Sequence, residues 1–158
     1  MRRRVWLGLA ASHTAVGAVG FAGGIYVLPI LTAPPPPAAA ELAALQQSAT
    51  FRGVFRRDLP GSDRLHWGEG DVAVGPSSVA HTGRLAPGPD YQLYLSPGFV
   101  DTEAAFNALK PRMRHVGPVK GFEGFVLPLP ADVDLAAFDT VVVWCESFGE
   151  FITAAKYR

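Results

Sequence analysis

The sequence predicts a mainly β protein, an antiparallel β-sandwich or barrel with one short helix, preceded by an N-terminal transmembrane helix. Three observations predict it. The run from Val5 to Leu31 carries no Asp, Glu, Lys or Arg. From Thr50 onward, short apolar or alternating runs are broken roughly every eight to twelve residues by Gly, Pro, Asp and Ser, the rhythm of a sandwich or barrel. The chain contains 17 glycines and 14 prolines, which calls for abundant turn and coil.

The first element is the apolar run itself. About 27 residues at roughly 1.5 Å each exceed a hydrocarbon thickness of about 30 Å, so residues 5–31 can span a bilayer with tilt. Arg2, Arg3 and Arg4 precede the run and no basic residue directly follows it, which places the N-terminus in the cytoplasm and the remainder outside it, in the periplasm if the cell is Gram-negative. A cleaved secretory signal is the alternative, with Ala38-Ala39-Ala40 as small residues for a peptidase. Against it, the stretch is longer than the ~7 to 15 apolar residues of a signal core, and Pro34 to Pro37 intervene. Either reading exports the domain. Gly20 and Gly24 have the Gly-x-x-x-Gly spacing that lets membrane helices approach closely, although glycine is common in such helices generally.

The expected organisation is therefore a cytoplasmic tip and signal-anchor over residues 1–31, a Pro/Ala-rich spacer and short helix over 32–49, and a β domain over 50–158. Pro34 to Pro37 predict an extended polyproline spacer that lifts the domain off the bilayer. Ala38 to Ser48 combine high helix propensity with Leu42 and Leu45 on one face, either a stalk or a cover on the domain. Strands are expected near Phe51–Phe55, Val72–Val74, Val79–Leu85, Tyr91–Leu95, His115–Lys120, Phe125–Leu129, Thr140–Glu146 and Glu150–Ala155. Asp101 to Lys110 is the one helix expected among them. Asp101 or Thr102 caps it, Glu103 suits its first turn, and Pro111 ends it.

Composition excludes several functions. The 49% apolar and 18% charged content belongs to a folded chain. Setting aside Arg2–Arg4 leaves 11 basic against 14 acidic residues, a net charge of −3, with no Lys/Arg stripe to neutralise phosphates. Nucleic acid is not an expected partner. Hydrolase elbows, phosphate loops, zinc-protease helices and dinucleotide fingerprints are absent. At most, the chain reads as a redox accessory protein.

Cys145 is the only cysteine, so neither an intramolecular disulfide nor a Cys-x-x-Cys cycle is available. On a strand, Val141, Val143 and Cys145 share one face, while Val142, Trp144 and Glu146 share the other. Cys145 is then either a small buried hydrophobe or a redox thiol, and the second role requires nearby positive charge and a path to solvent. Glu146 disfavours the thiolate, whereas His66 or Lys120 would favour it if the fold brought them near. His66, His81, His115 and Met113 supply copper-ligand types, but no His or Met follows the cysteine closely, where copper-binding sandwiches usually place a His and often a Met. Haem ligation by Cys145 and His66 lacks a Cys-x-x-Cys-His attachment motif. No cofactor is required by the sequence, with haem and copper left open.

Read in order, His66-x-x-x-Gly70, Gly88-Pro89-Asp90-Tyr91-x-Leu93-Tyr94-Leu95, Lys120-Gly121-x-x-Gly124, Asp134-Leu135 and Val143-Trp144-Cys145-x-x-Phe148 resemble the DM-thirteen, or electron-transfer DM, domain. The resemblance spans about Thr50 to Arg158. It implies a β-rich module whose characteristic cysteine corresponds to Cys145, and a role in redox or electron transfer through a thiol or a bound prosthetic group. Many relatives place this module beside a haem-binding-type domain or a membrane cytochrome. This chain resembles the small bacterial forms with one anchor, so a redox partner is expected to be a separate protein. Cys145 is the candidate redox thiol, and His66, Trp144 and Lys120 are the candidate ligand-binding residues. The alternative is a ligand-binding or envelope-assembly module with a structural cysteine.

Overall fold

A computed structural model describes residues 2–158; Met1, the first residue of the expected cytoplasmic tip, lies outside the described residues. α1 (Arg2–Thr32) is one unbroken helix with no buried residue, long and apolar enough to cross a membrane. Its 31 residues would extend about 46 Å at 1.5 Å per residue, whereas about 20 residues suffice for the hydrocarbon core. The stretch from Val5 to Gly24 is by itself long enough for that, without the last two turns, which include Pro29. The helix ends there because Pro34 to Pro37 cannot donate backbone hydrogen bonds.

The proline run has neither helix nor strand, yet it does not stand clear of the domain. Pro34 and Pro36 border a cleft with Trp67 and Phe122, and Pro35 and Pro37 border another with Phe125. The proline run and this aromatic surface thus line the same clefts. α2 (Ala39–Ser48) is a cover: Leu42 is buried against Ala73 and Ala80.

Eight strands follow: β1 (Phe51–Phe55), β2 (Gly68–Val74), β3 (Ser78–Leu85), β4 (Tyr91–Ser96), β5 (Arg114–Val119), β6 (Phe125–Pro128), β7 (Thr140–Cys145) and β8 (Glu150–Lys156). They form two antiparallel four-stranded sheets, ordered β1-β2-β3-β6 and β5-β4-β7-β8. α3 (Glu103–Leu109) is the single helix within the strand region, its N-terminus capped by the Thr102 side chain, which accepts from the Ala105 amide. A 3₁₀ turn, Lys110–Arg112, continues it through Pro111, and a second occupies Leu135–Ala137. The protein is thus mainly β with an N-terminal helix, as expected.

β2 begins four residues earlier than its apolar run suggests. Gly68-Glu69-Gly70-Asp71 has little strand propensity, but it pairs with β3 from Gly68↔Leu85 to Val74↔Val79. Gly70 has φ +117°, and a side chain there would meet the backbone of Thr82 and Gly83. Glycine is the residue that permits both the conformation and the approach.

The main core lies between the sheets, where Val141, Val143 and Cys145 of β7 meet Val72, Val79, Phe125 and Ile152. On the outer face of the second sheet, Val142 and Trp144 pack under α3, with the Phe106 and Trp144 rings stacked at 3.9 Å. The β7–β8 register shifts between Val143↔Thr153 and Trp144↔Phe151, so Ile152 is the extra residue of a bulge.

His81 lies in the main core, fully buried between the Phe55 and Phe125 rings, each with its centroid 5.1 Å away. Its Nε2 lies 3.0 Å from the Glu69 carbonyl, which can only accept, so Nε2 carries the proton. Nδ1 has no hydrogen-bond partner among the described residues. Burial, partly opposed by the Glu69 bond, pulls the imidazole below its ordinary value of 6.5. An unfolded chain therefore binds a proton at His81 before the folded one does, and this contribution is present above about pH 6.5 and lost as pH falls through the folded value. Urea denaturation should show a midpoint that falls between pH 7 and pH 5, and a His81→Leu variant should lose part of that slope.

Candidate functional site

Cys145 closes β7 opposite Tyr91 of β4 and Glu150 of β8. Two tight segments hold it. In the first, Pro87-Gly88-Pro89-Asp90, Asp90 turns the chain with φ 52°, and the Pro89 carbonyl accepts from the Cys145 Sγ at 3.2 Å. In the second, the Gly149 amide donates to the Cys145 carbonyl at 2.9 Å with φ +69°, which closes the β7–β8 turn. The segments are tied together by the Glu146 amide donating to the Asp90 carbonyl, and by Ser147 Oγ donating to the Asp90 carboxylate at 2.8 Å.

Cys145 is 2% exposed. Burial pushes its pKa up, and the Asp90 and Glu150 charges push the same way, partly opposed by the Phe148 and Ser147 amides. Cys145 is therefore a thiol rather than a thiolate near neutrality. It forms part of the wall of an almost wholly apolar cavity of about 210 Å³, with Leu65, His66, Tyr91 and Phe148 from the domain and Ile25 and Tyr26 from α1. Leu65 and Phe148 at this cavity are 61% and 55% exposed.

A family model described as electron transfer DM13 matches residues 59–157. The chain belongs to this family. No curated protein and no solved structure gives a significant match. The match begins after β1, yet β1 pairs with β2 from Phe51↔Val74 to Phe55↔Gly70, so the first sheet of this DM13 domain includes a strand upstream of the matched region.

Within the DM13 domain, the candidate residues separate. His66 lines the Cys145 cavity, with Nδ1 3.1 Å from the Asp63 carboxylate, while the Asp63 Oδ1 accepts from the amides of Leu65 and His66. Trp144 lies on the opposite face of β7 under α3. Lys120 lines an adjoining cavity of about 460 Å³, and Gly88, Pro89 and Tyr91 border both cavities. The copper-ligand types are not assembled: His81 is in the core, and the His115 ring lies against Tyr94 with Nε2 2.9 Å from Gln92 Oε1. Among the described residues, no group of three His, Cys, Asp or Glu side chains is placed to hold a metal ion. A haem iron would need a deprotonated sulfur from Cys145, and a buried thiol that donates to a carbonyl does not fit that need.

One cluster escaped the sequence. Glu146 faces away from Cys145, where it accepts from Tyr94 Oη and binds Lys110 Nζ through both carboxylate oxygens, at 2.8 and 2.9 Å. Burial opposes its charge, but Lys110 and Tyr94 outweigh this and hold its carboxyl below the ordinary range. Burial and the Glu146 bond together raise the Tyr94 phenol. The carboxylates that act on the thiol are instead Asp90 and Glu150. No local pattern encodes this cluster, because strand pairing brings Tyr94 to β7 and the end of α3 delivers Lys110. Glu146→Ala should cost about 1–2 kcal/mol by leaving Tyr94 Oη and Lys110 without their acceptor. In chemical denaturation, the Tyr94→Phe, Glu146→Ala double variant should lose less than the sum of the single losses.

Proposed function

We propose that this DM13 protein is a membrane-anchored electron-transfer module working outside the cytoplasm, with Cys145 as its redox centre and a separate protein as its partner. The observation that carries this reading is the position of the chain's single thiol. Cys145 borders an apolar cavity at the end of the domain nearest the outer turns of α1. The raised thiol pKa protects it from adventitious oxidants, which act on thiolates.

A single cysteine works by exchange. Its deprotonated sulfur attacks one sulfur of a partner disulfide, that S–S bond breaks as the mixed disulfide forms, and the departing thiolate takes up a proton. Approach requires displacing Phe148, whose ring is half exposed beside the cavity in the short turn after β7. The second reading, a ligand-binding or envelope-assembly module with a structural cysteine, draws on the 2% exposure of Cys145 and its bond to Pro89.

Labelling the native full chain in detergent with an aromatic disulfide reagent separates the two. The redox reading expects slow but complete labelling, accelerated about tenfold in Phe148→Ala as the turn opens more readily. Cys145→Ser retains a donor for the Pro89 carbonyl, so it should keep the fold and lose all mixed-disulfide formation. No labelling before denaturation, in either the parent chain or Phe148→Ala, leaves only the structural role.

A further inference from the structure

The two adjoining cavities differ in chemistry, and α1 runs past both of them. Ile25 and Tyr26 border the smaller one; Leu28, Pro29 and Thr32 border the larger one. From Tyr26 to Thr32 the helix climbs roughly 9 Å at 1.5 Å per residue, so the smaller cavity lies nearer the hydrocarbon and the larger one farther out. The near cavity is apolar. The far one holds Lys120, which is exposed and forms no ion pair among the described residues.

Asp90, the other charged group at the far cavity, is already engaged, accepting from Gln92 Nε2 at 3.0 Å and from Ser147 Oγ at 2.8 Å. Tyr26 has the amphipathic ring that favours a membrane interface. Leu65 and Phe148, exposed beside the near cavity, are costly to leave in water but suited to the acyl boundary. Apolar toward the membrane and cationic away from it is the polarity of a phospholipid.

We propose that the two cavities form one binding site for a bilayer phospholipid, its phosphate beside Lys120 and one acyl chain in the slot walled by Cys145. Gly88, Pro89 and Tyr91 are common to both cavities and mark the crossing from headgroup to chain. The lipid belongs to the leaflet on the domain's side, whichever side that is. It lies between α1 and the sandwich, so it orients the Cys145 end of the domain toward the bilayer. The site does not depend on thiol chemistry.

The test uses the full chain in nanodiscs of phosphatidylglycerol that include a phosphatidylglycerol carrying a diazirine within one acyl chain. After irradiation, digestion and mass spectrometry, adducts are expected on the peptides holding Leu65–His66 and Cys145–Phe148. Lys120→Glu and Leu65→Glu, both at exposed positions, should each lower these adducts by about fivefold or more. Lipid adducts are read without any disulfide reagent and thiol labelling without the diazirine lipid, so failure of the redox reading and failure of the lipid site are read separately. Adducts confined to residues 5–24 overturn the proposal. So do adducts at the slot that neither charged variant lowers.

Discussion

Every residue of β7 is buried, and the rest of the domain is arranged to make that tolerable. A six-residue strand with no wet face must satisfy its backbone on both edges and cover its side chains on both faces. β4 and β8 supply the edges, the opposing sheet covers Val141, Val143 and Cys145, and α3 covers Val142 and Trp144. Each buried Val or Trp in such a position contributes on the order of 1.5–3 kcal/mol relative to exposure, so β7 anchors both clusters. The bulge at Ile152 lets β8 serve both: Phe151 goes to the outer cluster and Ile152 to the inner one.

The same strand sorts the chemistry. Cys145 ends the strand and Glu146 opens the turn after it, and the two side chains reach different surroundings. Glu146 finds Lys110 and Tyr94 in a polar cluster beside α3, whereas Cys145 meets a carbonyl and apolar side chains. The thiol is thereby kept neutral by its surroundings while bordering a cavity lined by the exposed Leu65 and Phe148. In the proposed redox reading, access to this thiol comes from movement of the 145–149 turn. Asp90 restrains that turn, since its carbonyl and carboxylate hold Glu146 and Ser147.

Much of the fold was legible because the driving patterns are local. The unbroken apolar run gave α1, the turn clusters gave the strand rhythm, and Thr102 with Pro111 bracketed α3 and its 3₁₀ extension. The face assignments along Thr140–Cys145 followed from period two. What was missed depends on contacts distant in sequence. The strand character of Gly68–Asp71 comes from pairing with β3, and the burial of His81 follows from facing inward with Val79 and Leu85. Likewise, the proline run reads as a free spacer until the aromatic surface at Phe122 and Phe125 is placed beside it. For the site, Cys145 and His66 border one cavity, Lys120 borders the cavity that adjoins it at Gly88, Pro89 and Tyr91, and Trp144 lies on the opposite face of the strand.

In the proposed redox reading, Cys145 is guarded by a turn that opens locally, not by the whole fold. Native-state thiol exchange across a series of low urea concentrations measures this directly, since local opening exposes little surface and global unfolding exposes a great deal. The account predicts a labelling rate that is flat with urea at low concentration and steepens only near the unfolding transition. A rate that follows global unfolding from the first increment of urea would contradict it and make Cys145 a core residue alone.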